Sequence, residues 1–365
     1  VGIDLDVKDD DVFFRIEKRG LTSFEAIRRI ARALGRKEGD VGCAGLKDKR
    51  AITRQSLSLE FASEEELRAL EIPGIAVLEV ARHKNKLKLG HLRGNRFEIR
   101  VRGVRDGDLA RAQAKIALLE RVGLPNSFGP QRFGRDGTTP LLGRALLRED
   151  AASFVRVFTG YEGDEAPTTD DEVPAAAKDS LVRRCLQAWR ERGRPEHGMR
   201  ALPKRFLSLC VSAVQSEVFN CVLERRVEGG QLASIVDGDV AFLHRNGACF
   251  AVAGDGEVRE AAARAASFEI SPSGPLPGPS CLRPGDAVGE LEDEVLAGFG
   301  LTHEAFALRR PWAQKGARRA LRVPLTSGSA CSVRETRSGD VRCLELGFEL
   351  PKGSFATALT GELFA

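Results

Sequence analysis

The segment Ala44 to Gln55, AGLKDKRAITRQ, sets one carboxylate, Asp48, among Lys47, Lys49 and Arg50 on a glycine-opened loop between two apolar stretches. Cations on both sides favour the ionised carboxylate. Such a group suits attack on an anomeric carbon or abstraction of a proton, with the neighbouring bases docking phosphates. A surface β-turn of alternating charge accounts for the same triplet, and spacing alone leaves both readings open. A second segment, Pro125 to Gly134, reads PNSFGPQRFG. Phe128 and Phe133 stand there among Gly129, Gln131, Arg132 and Gly134, a composition that can stack a nucleobase and bond its edge. Two phenylalanines that plug the core are the alternative. The third segment, SAVQSEVFN from Ser212 to Asn220, interrupts an apolar helical face with Gln215 and Ser216. Taken by itself it reads as polar residues turned to solvent.

The elements around these segments follow from periodicity. Phe13 to Glu17 is expected to be a strand. Thr22 and Glu25 form a capping box for a helix with Ile27, Ile30, Ala31 and Leu34 on one face, stopped at Gly35. Val41 to Ala44 reads as a buried strand end. Leu57, Leu59 and Phe61 alternate with Ser56, Ser58 and Glu60 as a half-buried strand, and Phe97, Ile99 and Val101 repeat that period against Arg96, Glu98, Arg100 and Arg102. A helix is predicted over Asp108 to Val122, with Gly123 behind it. A long helix should start after Pro203, burying Phe206, Leu209, Ala213, Phe219 and Val222. The acidic stretch Glu162 to Pro174 reads as a loop, and the proline-rich stretch Ser271 to Pro284 as irregular. Leu344, Leu346, Phe348 and Leu350 form a final apolar strand, expected to join the sheet begun at the N-terminus. A short helix opened by Ser354 follows it. The class is α+β with a central antiparallel or mixed sheet.

At 365 residues, 42% hydrophobic and 30% charged, the chain describes an ordinary globular protein with room for a sizeable core. No run approaches the roughly 18 unbroken apolar residues of a membrane span, and no basic-then-apolar leader is visible at the start, which points away from membrane or secretory roles. Cys43, Cys185, Cys210, Cys221, Cys249, Cys281, Cys331 and Cys343 are dispersed, with no C-x-x-C pair and no histidines at ligand spacing. Reduced thiols in a cytoplasmic protein, and no structural zinc, are the expectation. P-loop, Rossmann, G-x-S-x-G and H-E-x-x-H signatures are missing, so the expected chemistry needs neither metal nor nucleotide cofactor. The net charge is only +4, but it is segregated. Nine Lys or Arg lie between Arg82 and Arg105 against Glu98 alone, and six between Arg309 and Arg322 against no acid. Such tracts either form one electropositive surface for a polyanion or are ordinary solvated charge.

Together the three segments resemble the TruD family of tRNA pseudouridine synthases, whose patterns are an A-G-L-K-D loop, an N-x-F-G-x-Q-R-F-G loop and an S-A-x-Q-S-x-x-F-N helix, here in the same order. RIEKRGLTSFEAIRRIA from Arg15, GNRFEIRVRG from Gly94, GARRALRV from Gly316 and FELPKGSFAT from Phe348 extend the resemblance over most of the chain. It implies a pseudouridine synthase domain in two parts, residues 1–150 and 318–365, interrupted by a family-specific inserted α+β domain at 151–317. It also implies that uridine 13 of tRNA is converted to pseudouridine by cleavage of the C1′–N1 bond and rejoining through C5. Asp48 would be the catalytic aspartate, by attack on C1′ or by abstraction of a ribose proton. Phe128 would stack on the target base, with Asn126, Gln131 and Arg132 around it, while Lys47, Lys49 and Arg50 hold flanking phosphates. Gln215 on the third motif is a further substrate-binding candidate. No cofactor is implied, tRNA is the partner, and a monomer is expected. Two departures stand out: Ser127 occupies a position where an aromatic is expected, and VGIDLDVKDDD opens the sequence where members carry a P-E-D-F-type segment.

Two other classes compete. An RNA-binding or RNA-folding protein on the same scaffold would not need a carboxylate amid phosphate-binding bases. A glycosidase would need a second, paired carboxylate, and the only acid beside the Phe128 loop is Asp136.

Overall fold

The structure is a computed structural model that describes residues 11–83, 85–88, 90–134, 136–173, 179–307, 310–325 and 331–364. The opening segment up to Asp10, Lys84, Pro174 and Arg309, all of which figure in the sequence analysis, lie outside the described residues. The chain divides into two compact units, Val1–Asn95 and Arg96–Ala365.

The first unit is one antiparallel sheet with a helix on it. β1 (Asp11–Arg19) leads into α1 (Ser23–Ala33), and β2 (Val41–Cys43) and β3 (Ile52–Glu60) form a hairpin; α2 (Glu64–Arg68) and β4 (Ile75–His83) follow. The strand order is β2-β3-β1-β4. Thr22 caps α1, with Glu25 closing the box, and Gly35 takes a φ of +65° just past the helix end. Ile27, Ile30 and Ala31 then pack on Val12, Phe14, Ile16, Leu57 and Leu59. The predicted alternation of β3 fails at both ends of its last turn. Phe61 leaves the strand at φ +55°, which swings its ring out to 70% exposure, and Ser58 is fully buried because its Oγ accepts the Leu87 N–H.

The unit boundary falls at the start of β5 (Gly94–Arg102). After it come α3 (Asp108–Val122), whose ends agree with the predicted ones, and β6 (Leu124–Pro125). A helical layer is made by α4 (Thr139–Leu147), α5 (Ala151–Thr159), α6 (Ser180–Arg192), α7 (Pro195–Arg200) and the 25-residue α8 (Lys204–Glu228). By length and composition α8 could cross a membrane, but most of its apolar window is buried in the protein. Its Val211, Val214, Val218 and Phe219 sit at the centre of the largest core. Gly143 of α4 lets the two helices meet backbone to backbone, since a Cβ there would collide with the Cys210 carbonyl and Val214.

The remaining elements are β7 (Val240–Leu243), β8 (Cys249–Ala251), α9 (Gly254–Ala266), β9 (Ile270–Leu276), α10 (Asp286–Gly298), α11 (His303–Ala307), β10 (Ala317–Ala320), β11 (Arg322–Val323), β12 (Ser332–Ser338), β13 (Val341–Pro351) and α12 (Ala356–Phe364). Among the described residues the strands of this unit form sheets of order β10-β9-β7-β8, β11-β6 and β12-β13-β5. The class is α+β, as the sequence indicates. The final apolar strand, β13, joins β5 rather than the N-terminal sheet, and buries Leu346, Phe348 and Leu350 against α3 and α12.

Two further expectations are corrected. Ile270 to Leu276 is a buried strand despite Pro272 and Pro275. It pairs with β7 through Ile270–Pro272 and with β10 through Ser273–Leu276, so neither proline has to donate within a continuous two-sided ladder. Leu209, predicted on the buried face of α8, is 45% exposed.

Candidate functional site

In the first unit, the β2–β3 hairpin presents residues 44–51 as its loop, with Asp48 exposed near the tip. The loop is fixed from beneath through its backbone. Lys18 on β1 is wholly buried, and its Nζ donates to the carbonyls of Leu21 (2.6 Å), Asp48 (2.8 Å) and Lys47 (3.4 Å). Burial pushes the Lys18 ammonium below its ordinary pKa, while the charges of Asp48 and Glu25 act to raise it. A cation in such a place is costly unless carbonyls and a nearby anion compensate it. Beside it, Ser23 Oγ accepts the Lys47 N–H at 2.8 Å and donates to Gln55 Oε1 at 2.9 Å. Gly42 in the stem admits the neighbouring chain, since a Cβ would stand 2.5 Å from both the Leu87 carbonyl and Ser58 Oγ.

The side chains around Asp48 are held more loosely. Lys47 Nζ donates to Asn95 Oδ1, and burial lowers its pKa against the pull of Asp48. Lys49 makes an exposed 3.4 Å ion pair with Glu25, and Arg50 is exposed. Leu46 and Ile52, on either side of Asp48, are exposed to 51% and 60%. The chemistry this arrangement offers is that of a solvent-accessible carboxylate on a rigid backbone, rimmed by cations and apolar side chains.

The second unit carries the other two motifs, and here the structure brings them together. The chain from β6 to the 3-10 turn Pro130–Arg132 lies along α8. Phe128 N–H donates to Asn220 Oδ1 and Asn220 Nδ2 donates to the Phe128 carbonyl, both at 2.9 Å. Arg132 donates through Nε to Ser216 Oγ (3.0 Å) and through Nη2 to Ser212 Oγ (2.9 Å). Asn126 is buried and fully engaged: its Nδ2 donates to the Ala320 carbonyl, and its Oδ1 accepts from Arg319 and from Ser354 Oγ. The Phe128 ring meets Phe219 edge-on at 5.5 Å and Phe355 at 6.0 Å, with the Arg319 guanidinium 4.3 Å and that of Arg132 5.6 Å from its centroid. Half-exposed Phe128 is thus a braced aromatic platform, flanked by two cations.

Gln131 is exposed beside this platform. Ser127 is half-buried in the same turn. Gln215 and Ser216, expected to face solvent, are 5% and 0% exposed because α8 is covered on that side as well. Gln215 Nε2 donates to the Pro277 carbonyl at 2.6 Å, while Ser216 accepts from Arg132. The strand part of the second basic tract, Arg318 to Arg322, is not a solvated surface either, whereas Arg310 and Lys315 are exposed. Arg318 makes a buried ion pair with Glu292 at 2.8 Å, Arg322 is buried against the carbonyls of Val122 and Ala265, and Arg310 pairs with Glu149. Strands β10 and β11 run through a core, so their arginines serve carbonyls and carboxylates there. Sequence reasoning missed Lys18, Asn220, Arg319, Ser354 and Phe355. All five lie inside segments the resemblance covers, but only the fold shows what they touch.

The same fold is found in the crystal structure of the TruD protein of Methanosarcina mazei, which superposes with a TM-score of 0.79 over 98% of this chain and 88% of that one at 24% identity. A family profile, tRNA pseudouridine synthase D (TruD), matches residues 5–363. Proteins named tRNA pseudouridine synthase D from Geobacter metallireducens and Geotalea daltonii are 42% and 39% identical, each over 97% of this chain and 88% and 90% of their own lengths. The chain belongs to the TruD family.

Proposed function

We propose that this member of a tRNA pseudouridine synthase family isomerises uridine 13 of tRNA, with Asp48 as the reacting carboxylate. The reaction is neutral in atoms and electrons. The C1′–N1 bond breaks, the uracil turns, a C1′–C5 bond forms, and the proton lost from C5 is matched by one gained at N1. No oxidant, reductant or cofactor is consumed. The target must leave its stack, which costs a few kcal/mol. Phe128 stacks on the extruded base, with Gln131 and Arg132 at its edge, and Lys47, Lys49 and Arg50 meet flanking phosphates. Asn126 and Gln215 serve the substrate through the surfaces they brace. Residues 1–150 and 318–365 form the synthase domain, and 151–317 the insertion.

The observation that carries this reading is an exposed Asp48 whose backbone, and not its carboxylate, is tied down by buried Lys18. That leaves the carboxylate available to a substrate. The test is incubation with unmodified tRNA transcripts and with transcripts carrying cytidine at position 13, followed by chemical mapping of pseudouridine. The expected product is a single pseudouridine at position 13, absent from the cytidine transcript. Modification elsewhere, or none, would overturn the assignment.

A further inference from the structure

We propose that Arg319 is the positioning residue that sets the Phe128 platform, acting through its planar fork rather than through its charge. The inference rests on the reading of Phe128 as the stacking aromatic. Arg319, on β10, ties together three stretches that are distant in sequence. Its Nε (3.2 Å) and Nη2 (3.0 Å) both donate to the Asn126 carbonyl, Nη2 also donates to Asn126 Oδ1 (2.5 Å), and Nη1 donates to the Gly353 carbonyl (3.0 Å). The face of the same guanidinium lies 4.3 Å from the Phe128 centroid and 5.4 Å from that of Phe219.

Among the described residues no carboxylate pairs with Arg319 or with Arg132, although each lies over the same ring. Burial and the charge of Arg132 push the pKa of Arg319 down to about 10. A cation held in this way is not there to neutralise an anion. It is retained because one rigid, flat group can satisfy three acceptors along its edge while its face supports a ring. An ammonium keeps the charge but cannot do both. Arg319 therefore fixes where the Phe128 ring stands before substrate arrives, so that little has to be ordered on binding.

The test compares the parent with Arg319→Lys and Arg319→Met, each in the Phe128 and the Phe128→Leu background. Single-turnover rates on tRNA, the salt dependence of tRNA binding and urea midpoints are measured for all six proteins. Arg319→Lys is expected to lower the rate at saturation roughly 10- to 100-fold, as misplacement of a reacting group by about 1 Å does. In the Phe128→Leu background the same change should cost less than about threefold, and the urea midpoints should be non-additive in the same sense. The slope of log affinity against log salt should not change. Full activity of Arg319→Lys would overturn the proposal, and so would equal losses in both backgrounds. A slope reduced by about 0.7 to 0.9 in Arg319→Met would overturn it too, because Arg319 would then hold a phosphate directly. If the parent itself makes no pseudouridine, the functional reading fails; the stability cycle still decides the platform, and additive midpoints would refute it.

Discussion

The two loops that carry the chemistry are built on opposite plans. Asp48 is fixed through the main chain: one buried ammonium holds its carbonyl, one serine hydroxyl accepts the N–H of Lys47 before it, and the carboxylate is left in solvent. The Phe128 loop is fixed through its side chains as well as its main chain. Those of Asn126 and Arg132 are hydrogen-bonded to β10, α8 and the turn before α12, and the Phe128 ring packs on Phe219, Phe355 and Arg319 while Asn220 holds its backbone. A reacting group must be free to meet its substrate, and any internal hydrogen bond to its carboxylate would have to be broken first. A stacking platform gains from the reverse, because every bond made in advance is ordering that binding need not supply. The comparison predicts that function and stability separate at the first loop and coincide at the second.

The largest effect is expected at Asp48. Asp48→Asn should lower the rate of pseudouridine formation by on the order of 10⁴-fold or more, while the melting temperature stays at that of the parent, as exposed positions generally allow. At the second loop Asn126→Ala should damage both. It strands the Ser354 hydroxyl and the Ala320 carbonyl that Asn126 now satisfies, at about 1–3 kcal/mol for each buried group left unpaired, removes one of the acceptors of Arg319, and loosens Phe128. Urea unfolding and activity, measured together, check this; a stable but inactive Asn126→Ala would blur the contrast.

Lys18→Met is intermediate, since it removes the side chain that ties the Asp48 carbonyl to β1. A loss of about 1–3 kcal/mol is expected from the orphaned carbonyls, with a fall in rate smaller than that of Asp48→Asn. Arg50→Ala should leave stability and the saturated rate unchanged and reduce the salt slope of tRNA binding by about 0.7 to 0.9. The smallest effect concerns Glu25. Hydrogen bonds from the Thr22 backbone and hydroxyl lower its pKa from 4.5 to about 2. A carboxylate depressed on folding stabilises the protein above its unfolded pKa, so this contribution is complete above about 4.5 and fades as the pH falls towards about 2. Glu25→Gln should flatten melting temperature against pH within that window and nowhere else.

Local rules made part of this legible in the sequence. The Thr22–Glu25 capping box, the limits of Asp108–Val122 and the start of α8 after Pro203 depend on residues a few positions apart, and the structure agrees with them. What could not be read depends on pairing over long distances. Pro272 and Pro275 argue against a strand until one knows that β9 changes partner between them. Gln215 and Ser216 look solvent-facing until Pro277 and Arg132 cover them. Arg318, Arg319 and Arg322 count as surface charge until β10 and β11 are threaded through a core. Asp48 and Phe128 stood out because their motifs are short. Lys18 and Arg319, which hold those motifs from 30 and about 190 positions away, could be recognised only once the chain was folded.

The claim that Asp48 is a reacting group on a backbone-fixed loop is tested most directly by one experiment. Parent and Asp48→Asn are incubated in excess over an unmodified tRNA, and pseudouridine at position 13 is quantified over a single turnover alongside tRNA affinity. The account predicts complete conversion by the parent and no detectable product from Asp48→Asn at undiminished affinity. Pseudouridine from Asp48→Asn at a rate near that of the parent would contradict it.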